Sequence, residues 1–210
     1  MVKYYTTTSL FKYTWEQVAT GLWQRYPNPN SKHVLTEDVL SRYMEDNKLI
    51  CRRLLTKTNK VPKWGEVLVG RDSQILIIEE SVVDPVQKTL TTYTRNIGLQ
   101  RIMGIEEKCI YKVNPQNSSW TDCERSAWIT TRRLPFGFNN AVESFGLNRF
   151  KSNALKASLG FDYVLTSLFG QDKLKDHPLT MKDKIKDTAR KAADMAKSKA
   201  GPMITRASTS

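Results

Sequence analysis

The sequence is poor in the residues on which most enzyme and metal sites depend. Its 210 residues include only three cysteines and two histidines. It contains no GxSxG, HExxH or P-loop motif, and no two cysteines form a CxxC pair. An enzyme that uses a nucleophile with its base, or a metal-activated water, depends on residues and motifs of these kinds. We therefore predict that the chain is not an enzyme and has neither a cofactor nor a metal site.

The sequence also lacks a long apolar run. No stretch of 18 apolar residues is present, so no membrane-spanning helix is expected. With 40% hydrophobic and 26% charged residues, the chain can build one core of a soluble domain. Cys51, Cys109 and Cys123 cannot all pair with one another, and unpaired cysteine behaves as a small buried hydrophobe. We interpret all three as structural thiols.

Acidic residues are few relative to basic ones. Lys and Arg number 33 against 21 Asp and Glu, a net charge of +12 that points to a polyanion, either nucleic acid or an anionic membrane surface. No tight basic cluster, zinc-finger spacing or RNP-like aromatic motif supports nucleic acid. Within the first 36 residues Glu16 is the single acid, a bias shared with mitochondrial proteins. A cleaved presequence is not expected, because the same residues predict folded structure.

The pattern of residues predicts a sheet followed by a long helix. Residues 2–13 are β-branched and aromatic and predict a strand. Thr14 and Gln17 form a capping box that opens a short amphipathic helix, ended by Pro27. Six further strands are predicted, with short connections that favour an antiparallel meander, at 34–43, 48–57, 73–84, 88–97, 102–113 and 119–132. Apolar residues at helical spacing then predict one helix over 136–169.

These elements predict an α+β fold in which a seven-stranded curved sheet is covered by one long helix. Such a cup either fills with side chains or holds a small ligand, and the periodicity alone leaves both open. Arg149, Asn153 and Lys156 form a polar stripe beside the apolar stripe of the long helix. After residue 170 the composition becomes rich in Ala and Lys. We divide the chain into a domain of residues 1–170 and a tail of residues 171–210, a conditional helix or a disordered segment.

Two segments break the regular pattern. Residues 25–39 turn a corner at two prolines, flanked by Arg25, Lys32 and His33, which suits an anion site or a solvated turn with incidental charge. Residues 58–70 have the length of an Ω-loop, with Trp64 at the tip close to Lys60 and Lys63. Trp beside Lys is typical of an anionic membrane interface, although Trp64 could equally pack under the loop.

Several motifs resemble the PRELI family of mitochondrial lipid-transfer proteins. They are YPNP at 26–29, KHVL at 32–35, RRLLTKTNKVPKW at 52–64 and SVVDP at 81–85, and the resemblance runs to about residue 170. It is strongest to the branch associated with phosphatidic acid. This resemblance implies a fold similar to phosphatidylinositol transfer proteins, and hence a lipid cavity rather than a filled core. The family often has Lys where this chain has Arg149.

The resemblance also implies which residues bind the lipid, which form the lid, and what the function and the protein partner are. The implied headgroup-binding residues are Arg25, His33, Lys57, Arg149, Asn153 and Lys156, with Arg53, on the same strand face as Lys57, added from its spacing. The implied lid and membrane contact comprises Lys60, Val61, Pro62, Lys63, Trp64, Gly65, Val67 and Leu68. The implied function is transfer of phosphatidic acid between mitochondrial membranes across the intermembrane space, with a small helical twin-CX9C protein as partner. The alternative from another class is a basic, non-enzymatic module that binds nucleic acid or acidic proteins.

Overall fold

A computed structural model describes residues 2–70, 74–131 and 139–174. Met1–Leu168 form one compact unit, which contains every residue of the site considered below. The predicted division at residue 170 falls within the last helix, and of the predicted tail, residues 175–210 lie outside the described residues. Residues 73, 132 and 136–138, which the sequence assigns to a strand or a helix, also lie outside them.

Seven strands form a single antiparallel sheet, which confirms the predicted fold. Their bounds are β1 Val2–Phe11, β2 Val34–Glu45, β3 Lys48–Thr58, β4 Gln74–Asp84, β5 Thr89–Asn96, β6 Met103–Val113 and β7 Thr121–Thr131. The order across the sheet is β1-β7-β6-β5-β4-β3-β2. Strands β2 to β7 are therefore a meander of consecutive neighbours, and β1 closes the other edge by pairing with β7.

One face of the central strands is buried, whereas the edge strand β2 is mostly exposed. In β7 the side chains alternate, so that Thr121, Cys123, Arg125, Ala127 and Ile129 point to the interior while their neighbours are exposed or half-buried. This period of two is expected for a strand with one covered face. All three cysteines are free and buried, as predicted.

The predicted short helix is present and begins where the sequence indicates. α1 spans Trp15–Gly21, and the Thr14 and Gln17 side chains form the reciprocal capping box. A 3-10 turn over Leu22–Gln24 leads into the corner at Pro27. Val18 and Leu22 are fully buried, which anchors this helix to the core and fixes where the corner lies.

The long helix covers the inner face of the sheet. α3 spans Asn139–Leu174, and Phe150 and Phe161 are buried in the interior. The Phe161 ring lies 5.3 Å from that of Phe11 in edge-to-face geometry. Gly160 allows the corner at Pro27 to approach α3 closely, because a Cβ at this position would lie 2.3 Å from Asn28 Oδ1. Of the helices in the described ranges, none is both long and apolar enough to cross a membrane.

The 58–70 segment differs from the sequence prediction. We expected an irregular Ω-loop, but the structure has a second helix, α2, over Lys63–Val69. Pro62 at the N-cap is pre-set for a helix start, and Gly70 ends it with a positive φ of 81°. Seven residues interrupted by Gly65 are too few for a helical period to be visible in the sequence.

Candidate functional site

A cavity of about 180 Å³ lies between the inner face of the sheet and α3. Alternate residues of the central strands form its floor, among them Ile75, Ile77, Glu79, Thr92, Thr94, Met103, Ile105, Glu107, Cys109 and Tyr111. The α3 residues that line it are Gly146, Arg149, Phe150, Asn153, Ala154, Ala157, Ser158 and Phe161. The lining is thus apolar for much of its area but carries several charged groups.

Four basic side chains come together beside the cavity, and we call His33, Lys57, Arg149 and Lys156 the basic cluster. His33 and Lys57 are adjacent because Val34 pairs with Lys57 and the Thr58 amide donates to the His33 carbonyl at 2.9 Å. The first three members line the cavity, whereas Lys156 is exposed. The sequence therefore predicted residues that the fold brings together from three separate elements.

Hydrogen bonds hold Arg149 in place. Its Nη1 donates to Asn59 Oδ1 at 3.0 Å and to the Lys60 carbonyl at 2.7 Å. These contacts tie α3 to the chain that follows β3. They leave the second terminal nitrogen and Nε of Arg149 free of any hydrogen bond among the described residues.

The basic cluster carries positive charge that no acid of the described residues neutralises in an ion pair. In the described part of the chain, no ion pair to Asp or Glu is found for its members. Burial, and then Lys57, Arg149 and Lys156, lower the pKa of His33 to about 4. Burial also lowers the pKa of Arg149. Because like charges raise one another's energy, this arrangement favours an anion that would relieve them.

The two other predicted arginines are already paired. Arg25 Nη2 lies 2.5 Å from Glu79 Oε2, and Arg53 contacts the other oxygen of the same carboxylate. Arg53 also reaches Glu37 at 2.6 Å and is 1% exposed. Burial would raise the pKa of Glu79, but the two arginines lower it to about 2. Arg25 lines the cavity, whereas Arg53 does not; it lies beside Glu79 on the neighbouring strand.

The paired charges belong to a row that crosses the inner face of the sheet. We call this row the polar belt; its members, from β2 to β7, are Glu37, Arg53, Glu79, Thr94, Glu107 and Arg125. From Arg53 to Glu107 its neighbours are register partners, and the two end members join it through ion pairs. Thr94 donates to Glu107 Oε2 at 3.5 Å, and Arg125 pairs with Glu107 Oε1. Three acids and three arginines, once Arg25 is included, balance one another. Together with Arg25, the polar belt is therefore neutral, in contrast to the basic cluster.

The predicted lid residues lie at the same end of the fold as Arg149. The ring of Trp64 packs edge-to-face on Phe145 of α3, with centroids 5.9 Å apart. Lys60 and Lys63 are exposed, and Gly65 is buried. The side chains of Val67 and Leu68 lie outside what the structure describes. Trp64 thus packs on the body of the protein, which is the alternative that the sequence left open.

Sequence reasoning missed three charged residues of the cavity floor, Glu79, Glu107 and Arg125. A signal for them exists in the strand pattern. Each occupies the inward register of an otherwise apolar strand face, as Glu79 does after Ile75 and Ile77. Charged residues almost never occupy such positions unless they are paired, so the register of β4, β6 and β7 could have identified them.

Comparison with known sequences gives one consistent family. A model of the PRELI-like family matches residues 16–171. The chain is 46% identical to a mitochondrial PRELI domain-containing protein 1 of Gallus gallus, covering 94% of this chain and 88% of that protein. The corresponding Homo sapiens protein is 45% identical over 94% of this chain and 87% of its own length. The mitochondrial protein UPS1 of Saccharomyces cerevisiae is 32% identical, with coverages of 80% and 95%.

Comparison with solved structures supports the fold alone. A crystal structure from Thermus thermophilus matches with a TM-score of 0.51 at 12% identity, over 80% of this chain and 99% of that one. The Zhui aromatase/cyclase from a Streptomyces species matches with a TM-score of 0.53 at 10% identity, with coverages of 84% and 97%. Both share the curved sheet covered by a long C-terminal helix.

Proposed function

Since this chain belongs to the PRELI-like family, we propose that it is a phospholipid carrier that extracts phosphatidic acid from one mitochondrial membrane and delivers it to another. The relatives named above are mitochondrial by name, and their family resembles carriers rather than enzymes. We propose that this protein acts in the intermembrane space, as the family resemblance implies, and that it performs no catalysis.

The observation that carries the headgroup assignment is the uncompensated charge of the basic cluster on the cavity wall. A phosphomonoester bears up to two negative charges and is held best by several charge-assisted hydrogen bonds. His33, Lys57 and Arg149 line the cavity, and Asn153 adds an amide beside them. A zwitterionic headgroup would bring its own cation into this field and would be disfavoured.

The seven predicted headgroup residues divide into two roles in this proposal. Lys57, Arg149, Asn153 and Lys156 are assigned direct contact with the phosphate, and His33 joins them as a donor once the phosphate raises its pKa. Arg25 donates to Glu79 through Nη2, and the other edge of its guanidinium group is assigned to the ligand in the cavity. Arg53 is assigned a positioning role, because it lies outside the cavity lining and fixes Glu79.

We assign the 58–70 segment as the lid and membrane contact. Its packing on α3 includes the Trp64–Phe145 ring contact and the hydrogen bonds of Arg149 to Asn59 and Lys60, so it is a small surface that can separate. Exposed Lys60 and Lys63 suit an anionic bilayer, where each lysine near the surface contributes about 1 kcal/mol. Opening would admit the lipid, and closure would shield its chains from water.

The partner proposal rests on family membership. We propose that a small helical twin-CX9C protein of the intermembrane space binds this chain. Co-expression tests it: the two proteins should elute together from a sizing column. Separate elution after co-expression would contradict the partner proposal and would leave the lipid assignment unaffected.

Native mass spectrometry of the purified protein, incubated with vesicles of mixed phospholipids, tests the proposed ligand. We expect one phosphatidic acid per chain and little phosphatidylcholine. Lys57→Ala should lower the occupied fraction about tenfold or more, the loss of one charged hydrogen bond. Lys108→Ala is the control, because Lys108 lies over Tyr93, which points to the opposite face of the sheet. A protein that retains nucleic acid or no lipid at all would contradict the proposal and favour the alternative basic module.

A further inference from the structure

Arg125 presents an unused hydrogen-bond donor inside the cavity. Its side chain is 9% exposed, it lines the cavity, and its Nη1 pairs with Glu107. Its Nε is buried and finds no hydrogen-bond partner within residues 2–70, 74–131 and 139–174. A buried unsatisfied donor is costly, so it marks a place where a ligand atom is favoured.

Two other buried arginines share this feature but differ in position. Arg53 also has an unpartnered Nε, yet it does not line the cavity. Arg25 lines the cavity and is already part of the headgroup site proposed above. Arg125 stands on β7, four strands away from Lys57 on β3 in the order of the sheet. It is therefore a separate group on the far wall.

The charge around Arg125 selects the kind of ligand atom. Glu107 already neutralises the guanidinium, and Thr94 and Cys109 donate to the same carboxylate at 3.5 and 3.3 Å. A phosphate dianion here would face the Glu107 charge in a buried site. A neutral acceptor, such as a carbonyl oxygen, would satisfy Nε without that repulsion. Arg125 thus suits an uncharged oxygen.

The residues around Arg125 indicate which part of a larger ligand carries that oxygen. Ala127, Ile129, Phe150 and Ala154 form an apolar cluster next to this position, with Ile105 packed against it. Arg25, Tyr111 and Arg125 all line the same cavity. One bound molecule can therefore present an anion toward the basic cluster, a neutral oxygen toward Arg125 and apolar chains beyond it.

We propose that Arg125 is a second ligand-binding residue, whose Nε–H donates to a fatty-acyl ester carbonyl of the bound phospholipid. The proposal rests on the proposed function, because it takes the ligand to be a phospholipid. It implies that the protein recognises the ester linkage as well as the headgroup.

Competition between diester and diether phosphatidic acid with matched chains tests the proposal, because the diether lacks both carbonyl groups. We expect the wild type to prefer the diester by about tenfold, the loss of one hydrogen bond to a charged donor. Two variants of Arg125 are compared with the wild type in the same competition. Arg125→Met with Glu107→Leu removes the ion pair without leaving one buried charge, and Arg125→Lys keeps the charge but removes Nε.

In both variants the preference for the diester should fall to within about twofold, while phosphatidic acid is still chosen over phosphatidylcholine. Tenfold preference in either folded variant, or no preference in the wild type, would overturn the assignment of Arg125. A wild type that binds phosphatidic acid in neither form would instead overturn the proposed function. The two failures are thus distinct.

Discussion

Single residues in this cavity show that buried charge can be held in two ways. Among the described residues, the members of the basic cluster form no ion pair with an acid, whereas Arg25, Arg53 and Glu79 compensate one another. An uncompensated group is available to a ligand but destabilises the empty protein. A compensated group stabilises the fold and orients its neighbours. Substitutions should therefore separate binding from stability.

Glu79→Gln should be strongly destabilising, because it removes the carboxylate that Arg25 pairs with and leaves the buried Arg53 with Glu37 alone. The pKa of Glu79 falls from 4.5 to about 2 on folding, which corresponds to roughly 3 kcal/mol at neutral pH. Since the folded pKa is depressed, this contribution is present above pH 4.5 and is lost as the pH falls toward 2. Denaturant unfolding across this pH range measures it.

The neighbouring residue supplies the control for that experiment. Glu80 pairs with Arg52 on the outer face, where both side chains are 46% exposed. Glu80→Gln should change the free energy of unfolding by less than about 1 kcal/mol. Equal effects of the two substitutions would show that the polar belt is not the stabilising network inferred here.

His33 should report headgroup binding directly. In the free protein its pKa is about 4, because burial and three nearby cations disfavour its protonation. A bound phosphate compensates those cations, so the pKa of His33 should rise toward 6.5 when phosphatidic acid binds. Titration of the imidazole by NMR, with and without the lipid, measures the shift. An unchanged pKa in the saturated complex would place the phosphate away from the basic cluster.

Among the elements, the α2 segment and α3 have different tasks. The sheet and α3 form the walls of the cavity, and removing either would destroy the fold. α2 adds no strand, and its described ring contact to α3 is that of Trp64 with Phe145. Because α2 contributes no strand, we expect the sheet and α3 to fold without it.

Replacing Val61–Val69 by a short glycine linker should leave the protein folded but unable to transfer lipid. The replacement keeps Asn59 and Lys60, which hold Arg149. Circular dichroism and a vesicle transfer assay measure the two properties. Trp64→Ala, as a milder variant, should reduce transfer less than the replacement does. If the folded replacement variant still transfers lipid at the wild-type rate, the assignment of this segment as a lid is wrong.

For the whole molecule, the net charge of +12 sets the response to membranes. Binding to vesicles should rise with anionic lipid content and weaken as salt shortens the Debye length to about 8 Å. Transfer should pass through a maximum, because a carrier that binds too tightly is slow to leave. Sedimentation and transfer, measured on the same vesicle series, test this trade-off. Transfer that rises steadily with binding would contradict it.

The sequence was sufficient for the architecture because strand and helix periods are local. The capping box at Thr14, the strand order implied by short connections and the α3 stripe all depend on neighbouring residues. Glu79, Glu107 and Arg125 were missed, although the alternation of their strands marks them as inward, because the partners that compensate each charge lie on other elements. α2 was missed because seven residues with a central glycine carry too little periodicity.

The most direct test of the carrier proposal is transfer of labelled phosphatidic acid between donor and acceptor vesicles by the purified protein. We predict transfer well above the protein-free rate, and slow transfer of phosphatidylcholine in the same assay. Lys57→Ala combined with Lys156→Ala should reduce the rate for phosphatidic acid strongly, and by less than the sum of the single effects, because both residues serve one phosphate. If wild-type protein moves phosphatidic acid no faster than buffer alone, the proposed function is wrong.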